Sequence, residues 1–475
     1  MTVRTRFAPS PTGLLHIGNA RTALFSSLYA RHSDGAFILR IEDTDAARSE
    51  LRYVDQLRDD LQWLGVLWQE GLGKEGEYGP YWQSQRQDIY SDYYERLISE
   101  SLTYPCFCSE EDLALERKLQ LSRGQAPRYK GTCRELSAEV IEHKLAQGLK
   151  PTLRFRVPSH TIIKFEDLVK GPQSFNSDDI GDFIIRRADG SASFMYCNAI
   201  DDALMKVSHV LRGEDHLTNT PRQLMILQAL NLHQPQYGHL ALLTGDDGTP
   251  LSKRHGSFSL SDLRETGYLP QAILNYLGRL GHSYESQEIL SFDELAKEFQ
   301  IKKVSRSAAR FDLTQLLHWQ KLAVSKLDNV QFWKWLGEKI QSHIPEDMQD
   351  QFAETVRPNI VFPQETLKWI EILFEHKINF TEENIRILQQ AGEQFFVEAE
   401  QAVEQHGADF KNILQTIKTE LNLSGKQLYQ PLRVALTGQV DGPELGQIAA
   451  ILGPERMQER FSRAFNTVAA LPKAL

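Results

Sequence analysis

Two short segments carry the residue types that handle phosphate. The first, Pro9-Ser10-Pro11-Thr12-Gly13-Leu14-Leu15-His16-Ile17-Gly18-Asn19, falls where an extended run from Val3 to Ala8 gives way to apolar residues at helical spacing, Ile17, Ala20, Ala23, Leu24 and Leu28. Such a turn offers an anion free backbone N–H groups and the positive end of a helix dipole. Gly18 admits close approach of a nucleotide, and His16 donates to a phosphate oxygen. By itself a His-x-Gly pair reads more simply as the polar cap of a buried helix. The second segment, Gly248-Thr249-Pro250-Leu251-Ser252-Lys253-Arg254-His255-Gly256, is a Gly-flanked loop whose Lys253 and Arg254 suit neutralising charge as pyrophosphate leaves. Alone, it is explained equally well as a solvated basic loop. The pair, one in each half of a sheet, points to a triphosphate site.

A third constellation is Cys106-Phe107-Cys108 followed by Cys133, three soft ligands from two chain segments, as a structural zinc requires. Tyr129 and Glu135 are the candidates for a fourth ligand. The alternative, equally weighted, is three reduced, partly buried thiols in a degenerate site. Four cysteines in 475 residues are too few to staple a fold, and the isolated Cys197 reads as a small apolar residue.

The elements that must position these residues are legible in outline. A length of 475 residues predicts about three domains. A hydrophobic content of 41% with 24% charged residues excludes collagen-like, low-complexity and wholly disordered chains. No apolar run reaches the roughly 18 residues of a membrane span, and the N-terminus lacks a signal-peptide pattern, so a cytoplasmic protein is expected. The net charge of -10 argues against indiscriminate coating of nucleic acid, but leaves room for local patches such as Lys302, Lys303, Arg306 and Arg310, or Arg456, Arg460 and Arg463 on one helical face.

The opening reads strand, loop, helix, strand, with the second strand at Ala36 to Glu42 alternating Phe37, Leu39 and Ile41. From Thr103 to about Ser193 polar segments, Gly and Pro breaks and short strands mark an insertion. Strand signals return at Val207 to Leu211 and Gly238 to Leu243, around a helix that opens at Thr220-Pro221. After residue 326 the pattern is helical. The fold class expected is α/β: a Rossmann-like parallel-sheet catalytic domain (1–102 and 194–256) split by an α+β insertion (103–193), then a connecting region (257–325) and an all-α C-terminal domain (326–475).

With both loops in place, the chain resembles a class I aminoacyl-tRNA synthetase, and within that class the bacterial glutamyl-tRNA synthetases. His16-Ile17-Gly18-Asn19 matches the HIGH motif and Leu251-Ser252-Lys253-Arg254 the KMSKS loop. Arg6 to Gly13, Arg40-Ile41-Glu42-Asp43-Thr44-Asp45, Leu211-Arg212-Gly213-Glu214-Asp215-His216, Asn219 to Gln223 and Pro431 to Gly438 follow in the family's order, so the resemblance covers essentially the whole chain. It implies ATP with Mg2+ and L-glutamate as substrates, tRNA-Glu as partner, and a monomer. His16 and Lys253 become the catalytic pair, and Gly18, Asn19, Leu251, Ser252 and Arg254 join them on ATP. Arg6, Ala8, Ser10, Glu42, Phe194, Asn198 and Arg212 take the amino-acid positions, with Arg6 and Arg212 as cationic forks for two carboxylates and Glu42 as the anion for the ammonium. The insertion would grip the acceptor end, the connecting region the stem, and the helical domain the anticodon loop.

Two departures stand out. Asn19 replaces the last residue of the HIGH motif, and Phe194 stands where the family commonly carries a Tyr hydroxyl. The second resembles relaxed-specificity members, which leaves a tRNA-Gln-directed enzyme as the nearest rival. A catalytically dead RNA-binding paralogue and a small-molecule nucleotidyltransferase are more distant ones.

Overall fold

The extended opening residues form strand β1 (Arg4–Phe7), and the helical spacing that follows becomes the helix Ile17–His32. The structure is a computed structural model that describes residues 2–44, 49–245, 247–249, 251, 259–375 and 377–470. Gly35 closes the turn into β2 (Ala36–Leu39), where a Cβ would stand 2.1 Å from the Val3 carbonyl oxygen, so only glycine lets the two backbones approach. β2 pairs in parallel with β1, Arg6 facing Ile38, and on its other side with β3 (Glu70–Gly71). The first helix is buried nearly all round, because Ala20, Ala23, Ser26 and Ser27 let it lie close against its neighbours, and the Thr5 hydroxyl donates to the Ser26 carbonyl at 2.8 Å.

The middle of the chain contains β4 (Thr103–Cys106), β5 (Thr152–Phe155), β6 (Ile162–Asp167), β7 (Gly171–Asn176) and β8 (Phe183–Arg186). β4, β5 and β8 form an antiparallel sheet of their own. β6 and β7 do not join it. β9 (His209–Gly213) and β10 (Gln236–Leu240) form a second parallel pair, and the β6–β7 hairpin extends it, β6 meeting β10 where Asp167 pairs with Tyr237. Part of the segment that reads as an insertion is therefore built into the sheet that carries β9.

The two halves meet where the Ser208 N–H donates to the Arg4 carbonyl at 2.9 Å and the Arg4 N–H donates to Ser208 Oγ at 2.7 Å. This brings together the carboxyl ends of β1, β2 and β9, the end of a parallel sheet where ligands bind. β11 (Leu243–Thr244) pairs in parallel with β12 (Ala309–Arg310).

Two compact units divide the chain: residues 1–265 with 270–316, and residues 266–269 with 317–475. The described elements of the second unit are all helical, as the C-terminal pattern predicts. No helix among the described residues is long and apolar enough to cross a membrane.

In the stripe Arg456, Arg460, Arg463 only Arg463 is exposed, so the three do not form the RNA-facing surface their spacing suggests. Arg460 is buried and donates to the Leu436 and Ile372 carbonyls, satisfying backbone acceptors near two helix ends, while Arg456 donates to the Leu373 carbonyl at 3.3 Å. Burial lowers the Arg460 guanidinium to about 10, still charged at neutral pH. Periodicity shows that three residues share a face, but not which way that face turns. Lys302, Lys303, Arg306 and Arg310 are exposed. Arg460→Ala should destabilise the second unit by about 2–3 kcal/mol by orphaning both carbonyls; an unchanged denaturant midpoint would contradict this role.

Candidate active site

At the head of the first helix His16 has extended backbone (φ -81°, ψ 156°), and its side chain makes no capping hydrogen bond. The N–H groups of the first turn therefore lack intrahelical partners. Among the described residues a Cβ on Gly18 would meet no atom within 4 Å, and the buried Nδ1 of His16 has no hydrogen-bond partner. Ser252, Lys253 and Arg254 lie outside the described residues. The chain on either side is anchored: the Leu251 N–H donates to the Leu243 carbonyl at 2.9 Å, Ser259 bridges to His16, and the Leu260 N–H donates to the Leu15 carbonyl at 2.9 Å. The basic loop thus starts beside β11 and ends against His16.

Arg6, Ala8, Ser10, Glu42, Phe194, Asn198 and Arg212 all line one cavity of about 290 Å³, together with Asn19 and His216. Arg6 comes from β1, Glu42 from the turn after β2, and Arg212 from β9. The helix Phe194–Leu204 supplies Asn198, Asp201 and Asp202, whose spacing of three and four turns them to one side. Phe194 packs its ring on His216, centroids 5.3 Å apart, where a hydroxyl would have stood on a Tyr.

Beneath the cavity lies a buried ionic network. Arg6 holds Asp202 through Nε and Nη2, both at 3.2 Å. Arg40 reaches Asp202 at 2.8 Å and Glu42 at 3.1 Å, and Arg86 reaches Asp201 at 2.6 Å. Asp201 also accepts from Gln83 and Tyr90, each at 2.8 Å. Burial raises the Glu42 carboxyl, against the opposing charges of Arg40 and Arg6. For Asp202 burial is outweighed by Arg6 and Arg40, which hold it low. The Asn198 amide donates to Glu42 at 2.5 Å and itself accepts from Gln223 at 2.9 Å.

Arg212 differs from the other three arginines. It donates to His239 Nε2 at 3.2 Å and Thr220 Oγ1 at 2.8 Å, both uncharged partners, and its buried Nη1 has no hydrogen-bond partner among the described residues. Burial lowers its guanidinium to about 10. Of the four guanidiniums, Arg212 alone touches no carboxylate, and it is the one that keeps a donor without a partner among the described residues. A carboxylate entering this cavity would meet it.

Several of these residues escape sequence reasoning. His216 belongs to a matched segment and could have been found there. Thr220 likewise lies in the matched segment Asn219 to Gln223, and Asp201 and Asp202, two adjacent carboxylates within an apolar helical run, were a signal; Arg86, Asp167 and His239 gave none at short range.

The cysteines converge. The sulfurs of Cys106, Cys108 and Cys133 lie within 4.8 Å of one another, with Cys108 and Cys133 3.6 Å apart. Tyr129 Oη is 3.4 Å from Cys106 Sγ and 3.6 Å from Cys108 Sγ. Tetrahedral zinc puts bound sulfurs about 3.8 Å apart and a sulfur and an oxygen about 3.5 Å apart, so these donors fit such an ion. Burial opposes the Cys106 thiolate, but hydrogen bonds from Tyr129 and Arg154 hold it down to about 7. Glu135 is turned away and exposed, 3.4 Å from Arg156.

The comparisons agree along the whole chain. Residues 2–318 match the catalytic domain of class I tRNA synthetases (E and Q), and residues 321–465 match an anticodon-binding domain. A glutamate–tRNA ligase 2 of Coxiella burnetii (strain RSA 331) is 54% identical over 97% of this chain and 99% of its own length. Another from Nitrosococcus oceani is 54% identical over 97% of each. The crystal structure of a glutamate tRNA ligase from Elizabethkingia meningosepticum, 28% identical, superposes with a TM-score of 0.87 over 98% of this chain and all of that one. The chain belongs to the glutamate–tRNA ligase family of class I aminoacyl-tRNA synthetases.

Proposed function

We propose that this protein joins L-glutamate to the 3′-terminal adenosine of tRNA-Glu, using ATP with Mg2+ and passing through glutamyl-adenylate. The observation that carries this reading is the cavity lined by Arg212, a buried guanidinium that touches no carboxylate and keeps a donor without a partner among the described residues. Glutamate brings two carboxylates and one ammonium, and a carboxylate satisfies that donor. Arg212 and Arg6 act as forks for the carboxylates and Glu42 receives the ammonium, with Asn198 orienting Glu42 and Ser10 adding a hydrogen bond.

In the first step the substrate α-carboxylate attacks the α-phosphorus of ATP and pyrophosphate leaves. The chemistry needs alignment and charge stabilisation rather than a protein nucleophile. His16 and the first-turn N–H groups face the triphosphate, and Lys253, on the loop that ends against His16, stabilises the charge that develops on it. The acyl group then passes to the terminal ribose of the tRNA. In this reading the 103–193 segment grips the acceptor end, residues 257–325 meet the stem through Lys302, Lys303, Arg306 and Arg310, and the helical 326–475 domain reads the anticodon loop.

Cys106, Cys108, Cys133 and Tyr129 would hold one structural zinc, which ties the loop carrying Cys133 to the end of β4. Burial, and then its hydrogen bonds to Cys106 and Cys108, raises the Tyr129 phenol, a preference that a bound dication would invert. Purified protein is expected to contain about one equivalent of zinc and to lose it in Cys133→Ser; wild-type protein without zinc would retire the site.

The reaction is tested by charging with glutamate on tRNA-Glu and tRNA-Gln transcripts separately, at a stated salt concentration. Charging of tRNA-Glu is expected, charging of tRNA-Gln alone would replace tRNA-Glu as the partner, and charging of neither would overturn the reading. Lys253→Ala should slow adenylate formation by about a hundredfold or more while changing tRNA affinity by less than about threefold; equal losses in both would contradict its role.

A further inference from the structure

We propose that Asp167 and His239 are positioning residues for amino-acid recognition: together they fix the protonation pattern that aims Arg212 into the cavity. The inference rests on the reading above, in which Arg212 binds a substrate carboxylate.

The argument begins with the one nitrogen whose role is beyond choice. A guanidinium has only donors, so the 3.2 Å contact between Arg212 Nε and His239 Nε2 requires that Nε2 present its lone pair. The proton of the neutral imidazole is then on Nδ1, which donates to Asp167 Oδ2 at 2.5 Å. Both side chains are fully buried, and burial is the main influence lowering the His239 imidazole, which keeps the ring neutral. The other oxygen of Asp167 accepts three backbone N–H groups, from Val169 at 2.9 Å, Lys170 at 2.7 Å and His239 itself at 3.2 Å. Asp167 therefore cannot turn.

Thr220 completes the arrangement. Its Oγ1 accepts from Arg212 Nη2 at 2.8 Å and lies 3.1 Å from His239 Nε2, whose one lone pair faces Arg212 Nε. The Nε and Nη2 edge of Arg212 is thus held by two neutral acceptors, leaving Nη1 without a partner among the described residues. A carboxylate in place of His239 would neutralise the guanidinium, whereas a neutral acceptor orients it and preserves its charge. Asp167 achieves this at one remove, by setting which imidazole nitrogen accepts. It comes from the β6–β7 hairpin, so a segment otherwise distant in sequence takes part in specificity.

The prediction concerns the direction of a hydrogen bond. In Asp167→Asn the side-chain oxygen must still face the three N–H groups, so the new NH2 group points at His239 Nδ1 and donates to it. The ring proton is forced onto Nε2, against the Arg212 N–H. In the tRNA-charging reaction this variant should raise the glutamate KM about tenfold or more, with the ATP KM changed less than about twofold. An unchanged glutamate KM in Asp167→Asn would overturn the proposal.

If Asp167→Asn loses its cooperative thermal transition, His239→Gln and His239→Leu make the same comparison: Gln should keep a near-wild-type glutamate KM and Leu should raise it, and equal values would overturn the proposal. A wild-type protein that charges no glutamate removes the substrate reading and this inference together. Wild-type charging with unaltered KM values in the variants removes the inference alone.

Discussion

The constraint on which the catalytic half depends is the cost of burying charge. Arg6, Arg40, Arg86 and Arg212 are all buried, and each would be untenable there without compensation. Three find carboxylates within 3.2 Å, on Asp201, Asp202 and Glu42, and the fourth finds only neutral acceptors. The network fixes the geometry of the strand ends and the helix Phe194–Leu204 relative to one another. It also leaves one cationic edge unmatched, which turns a structural necessity into selectivity for an anion. Removing any one carboxylate would leave a buried guanidinium short of its partner, so the binding site and the stability of the sheet halves share the same residues.

The same network explains why the split sheet works as one site. Arg6 and Glu42 belong to the first half, Arg212 to the second, and Asp202 lies between, on a helix that begins where the middle segment ends. The β6–β7 hairpin adds a third contributor. Its Asp167 supports His239, and just beyond it Lys170 pairs with Glu214, whose carboxylate also accepts the Leu242 N–H at 3.0 Å. Strand addition by this hairpin places a carboxylate under the pocket floor.

Much of this was legible in the sequence, where the signal was local. The turn from β1 into the first helix announces itself through Pro, Gly and His at fixed spacing, and the pocket residues come from the matched motif positions. What was not legible is what depends on long-range pairing or on which way a face turns. His239 and Asp167 are 72 positions apart, in a strand and in a segment with insertion character, and neither suggests the other. For Arg40, Asp201 and Asp202 the sequence does not show which partners bury them, because those partners are far away along the chain. Arg460 is the converse: a residue that the spacing offered to RNA is used inside its own unit.

The central claim is that a buried guanidinium without a carboxylate partner selects a dicarboxylic amino acid. It is tested most directly by comparing glutamate with glutamine in the charging reaction of the wild-type enzyme. Glutamine has nearly the same shape but one fewer carboxylate, so it leaves the cation unmatched, and kcat/KM is predicted to fall by about a hundredfold or more. Comparable use of the two amino acids would contradict the account.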